Sequence, residues 1–140
     1  MLNYWIVALP RPDMERCLEI GTFGMNYAYL LGRVQPGDKI VFIASRREWQ
    51  VMAFGEVVKG HYVSSKRVFL SNAGVFEHRI DFEAKTLPLK SELDFRTIVH
   101  RLSFIGNAVK WGPYFMHAIR EMAEKDWTYI RSHLPTKTSS

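Results

Sequence analysis

Aromatic rings and basic side chains occur together in several segments of the sequence that read as loops. A ring on a loop can stack on a nucleobase, and a neighbouring lysine or arginine can pair with a phosphate of the same strand. The rings in question are Phe23, Phe69, Phe104 and Trp111, and the basic residues near them in sequence are Arg46, Arg47, Lys66, Arg67, Arg101 and Lys110. The combination indicates a binding site for nucleic acid.

The densest group of rings lies in residues 102–115, where Gly106, Asn107, Gly112 and Pro113 prevent one continuous helix. Rings on such an irregular connection either plug the end of a hydrophobic core or line a recess that receives a flat ligand. Composition alone favours the plug, and the residues leave both interpretations open.

Constellations typical of enzymes are absent from the sequence. The five histidines lie far apart, and there is no paired spacing of a metal site, no phosphate-binding loop and no Gly-x-Ser-x-Gly elbow. Asp81 and Glu83 alternate with apolar residues, which predicts the solvated face of a strand, and Glu56 is expected to be structural. We therefore predict a protein that is not an enzyme and uses no metal or cofactor.

The bulk composition suits one folded domain with a polyanionic partner. The chain has 140 residues, 47% of them apolar and 24% charged, with a formal net charge of +5. Its single cysteine, Cys17, cannot form an internal disulfide. No signal peptide or membrane-spanning run is visible, so we expect a cytoplasmic protein with no membrane partner.

Strands are predicted from apolar runs and from alternation of apolar and polar residues. They lie at Tyr4–Leu9, Lys39–Ala44, 49–58 and 76–83. A tight turn is predicted at 35–38 and a hairpin connection at 45–48. In the last strand, Arg79 is expected on the wet face.

Helical segments are predicted from apolar stripes at helical spacing and from capping residues. They begin at Asp13, Asn26, Asp94, Pro113 and near Trp127. The fourth carries the stripe Phe115, Ala118, Ile119 and Met122. Residues 21–24 read as a loop, and residues 59–74 read as a loop in which one irregular strand stays open.

Several short motifs follow one another in an order that resembles the EVE domain family of the PUA-like superfamily, in particular its small stand-alone prokaryotic branch. They are Tyr4-Trp5-Ile6, Phe23-Gly24, residues 34–39, Gly55-Glu56-Val57, residues 102–107, Trp111, Phe115 and residues 120–122. The resemblance implies an α+β fold, a PUA-like pseudo-barrel of about five to six strands with peripheral helices. The chain length predicts a single domain over residues 1–135, and the stop at Pro135 predicts a disordered tail over 136–140.

EVE domains are similar to YTH domains, which bind N6-methyladenine in RNA with an aromatic cage. The resemblance therefore implies a reader of modified bases, with 5-methylcytosine derivatives and N6-methyladenine as candidates. The first ring of the family's cage, usually tryptophan followed by glycine, corresponds here to Phe23 and Gly24. Phenylalanine offers a smaller stacking face and no indole N–H. A further ring would come from Tyr62 or Phe69, after the long strand.

We expect a nucleic-acid-binding module that holds a modified base, single-stranded or flipped out, between Phe23 and the rings of residues 102–115. The expected base-binding residues are Trp5, Phe23, Gly24, Phe69, Phe104, Asn107, Trp111 and Phe115. The expected phosphate contacts are Arg11, Arg46, Arg47, Lys66, Arg67 and Lys110. The partner would be RNA or DNA. Two alternatives stay open: a small enzyme similar to the ASCH type, acting on a modified nucleoside, and a pocket for a different small molecule.

Overall fold

The computed structural model describes residues 2–69 and 74–134. Over these residues the strands form one mixed sheet: β1 (Tyr4–Leu9), β2 (Thr22–Met25), β3 (Lys39–Ala44), β4 (Gln50–Val63), β5 (His78–Thr86), β6 (Leu93–Asp94) and β7 (Ile119–Met122). Two helices, α1 (Arg11–Ile20) and α2 (Glu124–Ser132), and short 3₁₀ turns connect them. The predicted α+β class is confirmed, and the predicted tail falls outside the described residues.

The strand order in the sheet is β2-β5-β4-β3-β1-β7, and β6 pairs with β4. β1 and β3 run parallel, while β1 pairs with β7 and β3 with β4 in antiparallel fashion. Leu9 and Ala44 therefore end at the same side of the sheet. We call this end of β1 and β3 the Leu9 edge, meaning the carboxyl ends of the two strands and not an outer strand of the sheet. The loops that converge on it carry the candidate site.

Two hydrophobic cores cover the opposite faces of the sheet. Alternation along β1 sends Trp5 into the first core, under α1, and Ile6 into the second, under α2 and residues 95–115. The second core is closed by Asp126 of α2. Its buried carboxylate accepts hydrogen bonds from the Ser103 backbone N–H at 2.9 Å and hydroxyl at 2.6 Å.

The predicted loop at 21–24 is wrong, because residues 22–25 form β2 and pair with β5. Gly21 does end α1, with φ at +70°. The helix begins at Arg11, after Pro10, so Asp13 lies in its first turn and does not cap it. Phe23 is consequently placed in the sheet and directed into the first core, with 1% of its surface exposed.

Two predicted helices are also replaced. Pro113 opens only a 3₁₀ turn, Gly112–Phe115, after which Ala118 takes φ of +69° and the chain enters β7. A strand forms here because this segment pairs with the edge of β1 that lies opposite β3. The helix predicted from Asp94 is divided at Ile98 into two 3₁₀ turns, although the cap itself is confirmed: the carboxylate accepts from the Arg96 N–H.

Residues 59–63 continue β4, so the predicted loop at 59–74 starts later than expected. In the described part of the chain, no helix is long and apolar enough to cross a membrane.

Candidate nucleobase-binding site

A cavity of about 250 Å³ opens at the Leu9 edge, on the side of the first core. It lies between α1, β2 and the segment that leads into β5. Its walls are mostly apolar, with one acidic and one basic side chain, the composition typical of small-ligand sites. The lining residues are Leu9, Pro12, Asp13, Arg16, Cys17, Gly24, Phe69 and Phe76. We call this cavity the Phe69 pocket.

Two rings form one wall of the Phe69 pocket. Phe69 and Phe76 are perpendicular, with centroids 5.7 Å apart. Phe76 has φ of +54°, a backbone conformation rare for a bulky residue. Phe69 is only 8% exposed, so its ring is held in place before any ligand arrives. The pocket is therefore preformed, which lowers the entropic cost of binding.

Arg79 fixes the segment that carries these rings. Its guanidinium donates to the carbonyl oxygens of Phe76 at 3.0 Å, Val75 at 3.1 Å and Lys66, and lies 5.3 Å from the centroid of Phe69. The predicted wet position of Arg79 is wrong: the residue is 2% exposed, because the segment before β5 folds over it. A guanidinium suits this place because it offers several donors in a fixed plane.

A second arginine holds the same segment from the side of α1. Nε of Arg16 donates to the carbonyl oxygen of Val68 at 2.8 Å, and its guanidinium pairs with Glu19. The residue before Phe69 is thus tied to the helix that forms the opposite wall.

Gly24 is required by the close approach of β2 to the rings. A Cβ at this position would lie 2.6 Å from Cε2 of Phe69 and 2.8 Å from the carbonyl oxygen of Phe76. Both separations are shorter than normal van der Waals contact, so a larger residue would push the ring segment away.

Cys17 supplies a neutral wall and no nucleophile. Burial, together with the nearby charge of Asp13, raises the pKa of its thiol to about 12. The side chain therefore remains a protonated thiol at neutral pH. The exposed carboxylate of Asp13 is the acceptor among the side chains that line the pocket.

Two of the predicted base-binding residues, Gly24 and Phe69, meet in this pocket, whereas Trp5 and Phe23 are buried in the first core. The indole N–H of Trp5 donates to Asp38 at 2.9 Å, which satisfies its polar atom inside the core. The predicted base-binding rings Phe104, Trp111 and Phe115 pack in or against the second core. The predicted sandwich between Phe23 and these rings is therefore wrong, because the sheet separates them.

A second ring-lined cavity lies at the same edge, on the side of the second core. Its volume is about 310 Å³ and we call it the Trp49 pocket; it is lined by Ala8, Leu9, Pro10, Ser45, Arg46, Trp49, Gly112, Phe115, Met116 and Ala118. Ring centroids of Trp49 lie 4.6 Å from Trp111 and 5.7 Å from Phe115. The sequence predicts Trp49 only as the first residue of a strand, with no part in a binding site. The signal available was its position directly after the polar hairpin 45–48.

The predicted phosphate contacts divide into exposed residues and one structural residue. The exposed ones are Arg46, Arg47, Lys66, Arg67 and Lys110, and the predicted polar contact Asn107 is exposed as well. The predicted phosphate contact of Arg11 is corrected, because its guanidinium is bound by two carboxylates of the protein. Nε donates to Glu48 at 2.6 Å, and Nη1 and Nη2 donate to Glu92 at 3.0 and 2.7 Å. Two carboxylates compensate its charge and raise its pKa, so it joins the 45–48 hairpin to the start of α1.

The carboxylates considered for catalysis lie outside both pockets. The side chain of Glu56 is 53% exposed and pairs with Lys39 at 2.5 Å. Asp81 accepts hydrogen bonds from the hydroxyls of Tyr62 at 2.6 Å and Thr22 at 2.9 Å. Within residues 2–69 and 74–134, no three histidine, cysteine or acidic side chains come together as a metal site.

Comparison with known proteins places this geometry in context. No family model matches the chain. The chain is 30% identical over 144 residues to a UPF0310 protein of Pyrococcus abyssi, covering 95% of this chain and 100% of that protein.

Solved structures with a similar fold include two complexes with nucleic acid. They are the Mmi1 YTH domain with RNA (TM-score 0.62, 13% identity, 93% of this chain and 76% of that chain) and human THYN1 with DNA containing 5-methylcytosine (TM-score 0.56, 12% identity, 93% and 96%). At these identities the likeness concerns the fold. It confirms the predicted PUA-like architecture, and assignment to the EVE family itself stays a prediction.

Proposed function

The chain belongs to the UPF0310 family, and we propose that this member is an EVE-type module that takes a single modified base of a nucleic acid into the Phe69 pocket. The observation that carries the proposal is the pocket itself. It is a small, preformed cavity with a wall of two perpendicular rings, and the cationic side chains of Lys66 and Arg67 belong to the segment that carries Phe69.

The size and lining of the pocket select the ligand. At about 250 Å³ it is smaller than the cavities of roughly 300–1,000 Å³ that hold drug-sized molecules, which suits one base better than a whole nucleotide. An aromatic wall stacks on any base. The carboxylate of Asp13 can accept a hydrogen bond from an exocyclic amino group, as carboxylates do from N4 of cytosine. A methyl substituent would contact Leu9, Cys17 and Phe69.

A base enters such a cavity only when it is outside a duplex. The Phe69 pocket is a concavity with α1 as one wall, so a base must be single-stranded or flipped out to enter it. The adjoining phosphates would then lie near Lys66 and Arg67, at the start of the ring-bearing segment. Similar folds solved with RNA and with DNA containing 5-methylcytosine support this class of ligand.

The polymer and its modification are addressed by matched probes. Labelled single-stranded 9-mers would carry one central 5-methylcytosine in DNA or one N6-methyladenine in RNA, each paired with its unmodified counterpart, and binding would be followed by fluorescence anisotropy. Burial of one methyl group, at about 0.8 kcal/mol, predicts about fourfold tighter binding of the modified member of one pair. Equal affinity within both pairs, or no binding at all, would contradict the proposal.

We also place the protein in the cytosol. Its single cysteine, Cys17, is buried and free, which suits a reducing compartment.

A further inference from the structure

Backbone strain is concentrated around the two pockets of the Leu9 edge. Five non-glycine residues of the described chain have positive φ: Tyr29, Arg46, Trp49, Phe76 and Ala118. Three of them line the Trp49 pocket, with φ of +63°, +49° and +69°, and Phe76 lines the Phe69 pocket. Strained non-glycine residues persist only where the surrounding structure enforces them, and they cluster at ligand sites.

Hydrogen bonds from other elements enforce the strain at the Trp49 pocket. The carbonyl oxygen of Trp49 accepts from the Phe95 N–H at 2.7 Å, and that of Ala118 accepts from the Ala8 N–H at 2.8 Å. Glu48, directly before Trp49, is bound by Arg11. The indole is thereby fixed at the rim of a cavity instead of turning fully into the core.

The chemistry of the Trp49 pocket suits a nucleobase with its phosphate. The indole of Trp49 remains partly exposed and is supported by Phe95, at 6.4 Å between centroids and nearly parallel, and by the edge of Trp111. Arg46, exposed at the rim, is the one charged side chain among the lining residues. A fixed indole face beside an arginine binds an unpaired base of any sequence.

Leu9 lines both the Phe69 pocket and the Trp49 pocket, which open on opposite faces of the sheet. A strand that crosses the Leu9 edge can therefore place one base on each side. We infer that the Trp49 pocket is a second base-binding site, which receives the nucleotide adjacent to the one in the Phe69 pocket while Arg46 contacts its phosphate. This inference rests on the proposed function.

The test uses whichever modified single-stranded 9-mer binds more tightly in the anisotropy assay, either DNA with a central 5-methylcytosine or RNA with a central N6-methyladenine. In two further probes the nucleotide on its 5′ or its 3′ side is abasic, and in a third the central position itself is abasic. Loss of one stacked base predicts about tenfold weaker binding to wild-type protein for one of the two flanking abasic probes. Trp49→Leu should bind the intact probe about tenfold more weakly than wild type does. It should lose no further affinity on the flanking abasic probe that weakens wild-type binding.

Trp127→Leu is the matched control, because it makes the same change near Tyr4, at the other end of β1. It should behave like wild type. The inference is overturned if both flanking abasic probes bind wild type within twofold of the intact probe, or if the penalty persists unchanged in Trp49→Leu. If the two flanking abasic probes bind like the intact probe and the central abasic probe binds weakly, the proposed function survives without the second site. If no probe binds, the proposed function and the second site both fail. The wild-type measurements decide the question even if Trp49→Leu does not fold.

Discussion

The α-carbon of Gly24 faces the ring of Phe69 so closely that a single added methyl group would lie 2.6 Å from Cε2. These two lining residues of the Phe69 pocket therefore lie close together before a ligand binds. This relationship gives a way to close the pocket without touching its charged residues.

Gly24→Ala should abolish binding of the modified probes, because the new methyl group displaces Phe69 and the carbonyl group of Phe76. Overpacking of this kind costs about 1–3 kcal/mol of unfolding free energy. Binding is measured by anisotropy and stability by urea denaturation. Gly32→Ala is the control, since a Cβ there meets nothing within 4 Å. A Gly24→Ala protein with wild-type affinity would remove the Phe69 pocket from consideration.

Arg79→Met should loosen the segment that carries Phe69. The carbonyl oxygens of Lys66, Val75 and Phe76 would lose a charged donor inside the protein. We expect a loss of about 3 kcal/mol of unfolding free energy and weaker binding of the modified probes. Hydrogen exchange of the amides that precede β5 should accelerate.

Arg47→Met provides the comparison for this variant, because Arg47 is exposed in the 45–48 hairpin. Its unfolding free energy should remain within about 0.5 kcal/mol of wild type. Equal denaturation midpoints for the two variants would show that Arg79 does not hold the segment.

The salt dependence of binding should distinguish phosphate contacts from structural arginines. Lys66→Gln removes one predicted phosphate contact. The negative slope of log K against log salt should therefore become less steep, by about 0.7 for a single strand. Arg11→Gln should leave the slope unchanged, since Glu48 and Glu92 occupy its guanidinium. Lys125→Gln, an exposed change in α2, tests whether net charge alone alters the slope. A less steep slope for Arg11→Gln would show that Arg11 contacts a phosphate after all.

The thiol of Cys17 should react far more slowly in the folded protein than in the unfolded chain. Its pKa is raised from 9.0 to about 12, chiefly by burial. The folded state therefore holds the proton more tightly than the unfolded state. This contribution to stability is complete below about pH 9 and is lost as the pH rises towards 12.

Alkylation rates at pH 8 measure this difference. Native protein should react at least on the order of a hundredfold more slowly than protein in urea, because the thiolate is the nucleophile. A probe bound in the Phe69 pocket should slow the native reaction further, since Cys17 lines that pocket. Rapid native alkylation would contradict both the burial and the raised pKa.

Elements that are determined by local pattern could be predicted from sequence. Tyr4–Leu9 and Lys39–Ala44 have the predicted bounds, because apolar runs bordered by Pro10 or by the turn at 35–38 leave few alternatives. Gly21 ends α1 as predicted, since glycine readily adopts positive φ.

Elements that depend on distant partners could not be predicted in this way. Phe115, Ile119 and Met122 have helical spacing, yet Ile119 and Met122 lie in β7 because β1 offers an edge there. Arg79 alternates like a solvent-facing residue, and only the segment folded over it makes it buried. Local periodicity carries no information about either contact.

The candidate site divides in the same manner. The family resemblance predicts Gly24 and Phe69 as base-binding residues, and both line one cavity. The Trp49 pocket depends on parallel pairing of β1 with β3, which brings Leu9 beside Ser45. No motif in the sequence predicts the pairing of β1 with β3.

The position of β1 between β3 and β7 also has a consequence for synthesis on the ribosome. Of the described strands, β1 is synthesised first and its partner β7 last. Until then the nascent chain presents an open, apolar strand to its surroundings, a state that is prone to aggregation. Chaperone capture during translation would protect this strand until the final hydrogen-bonded ladder closes.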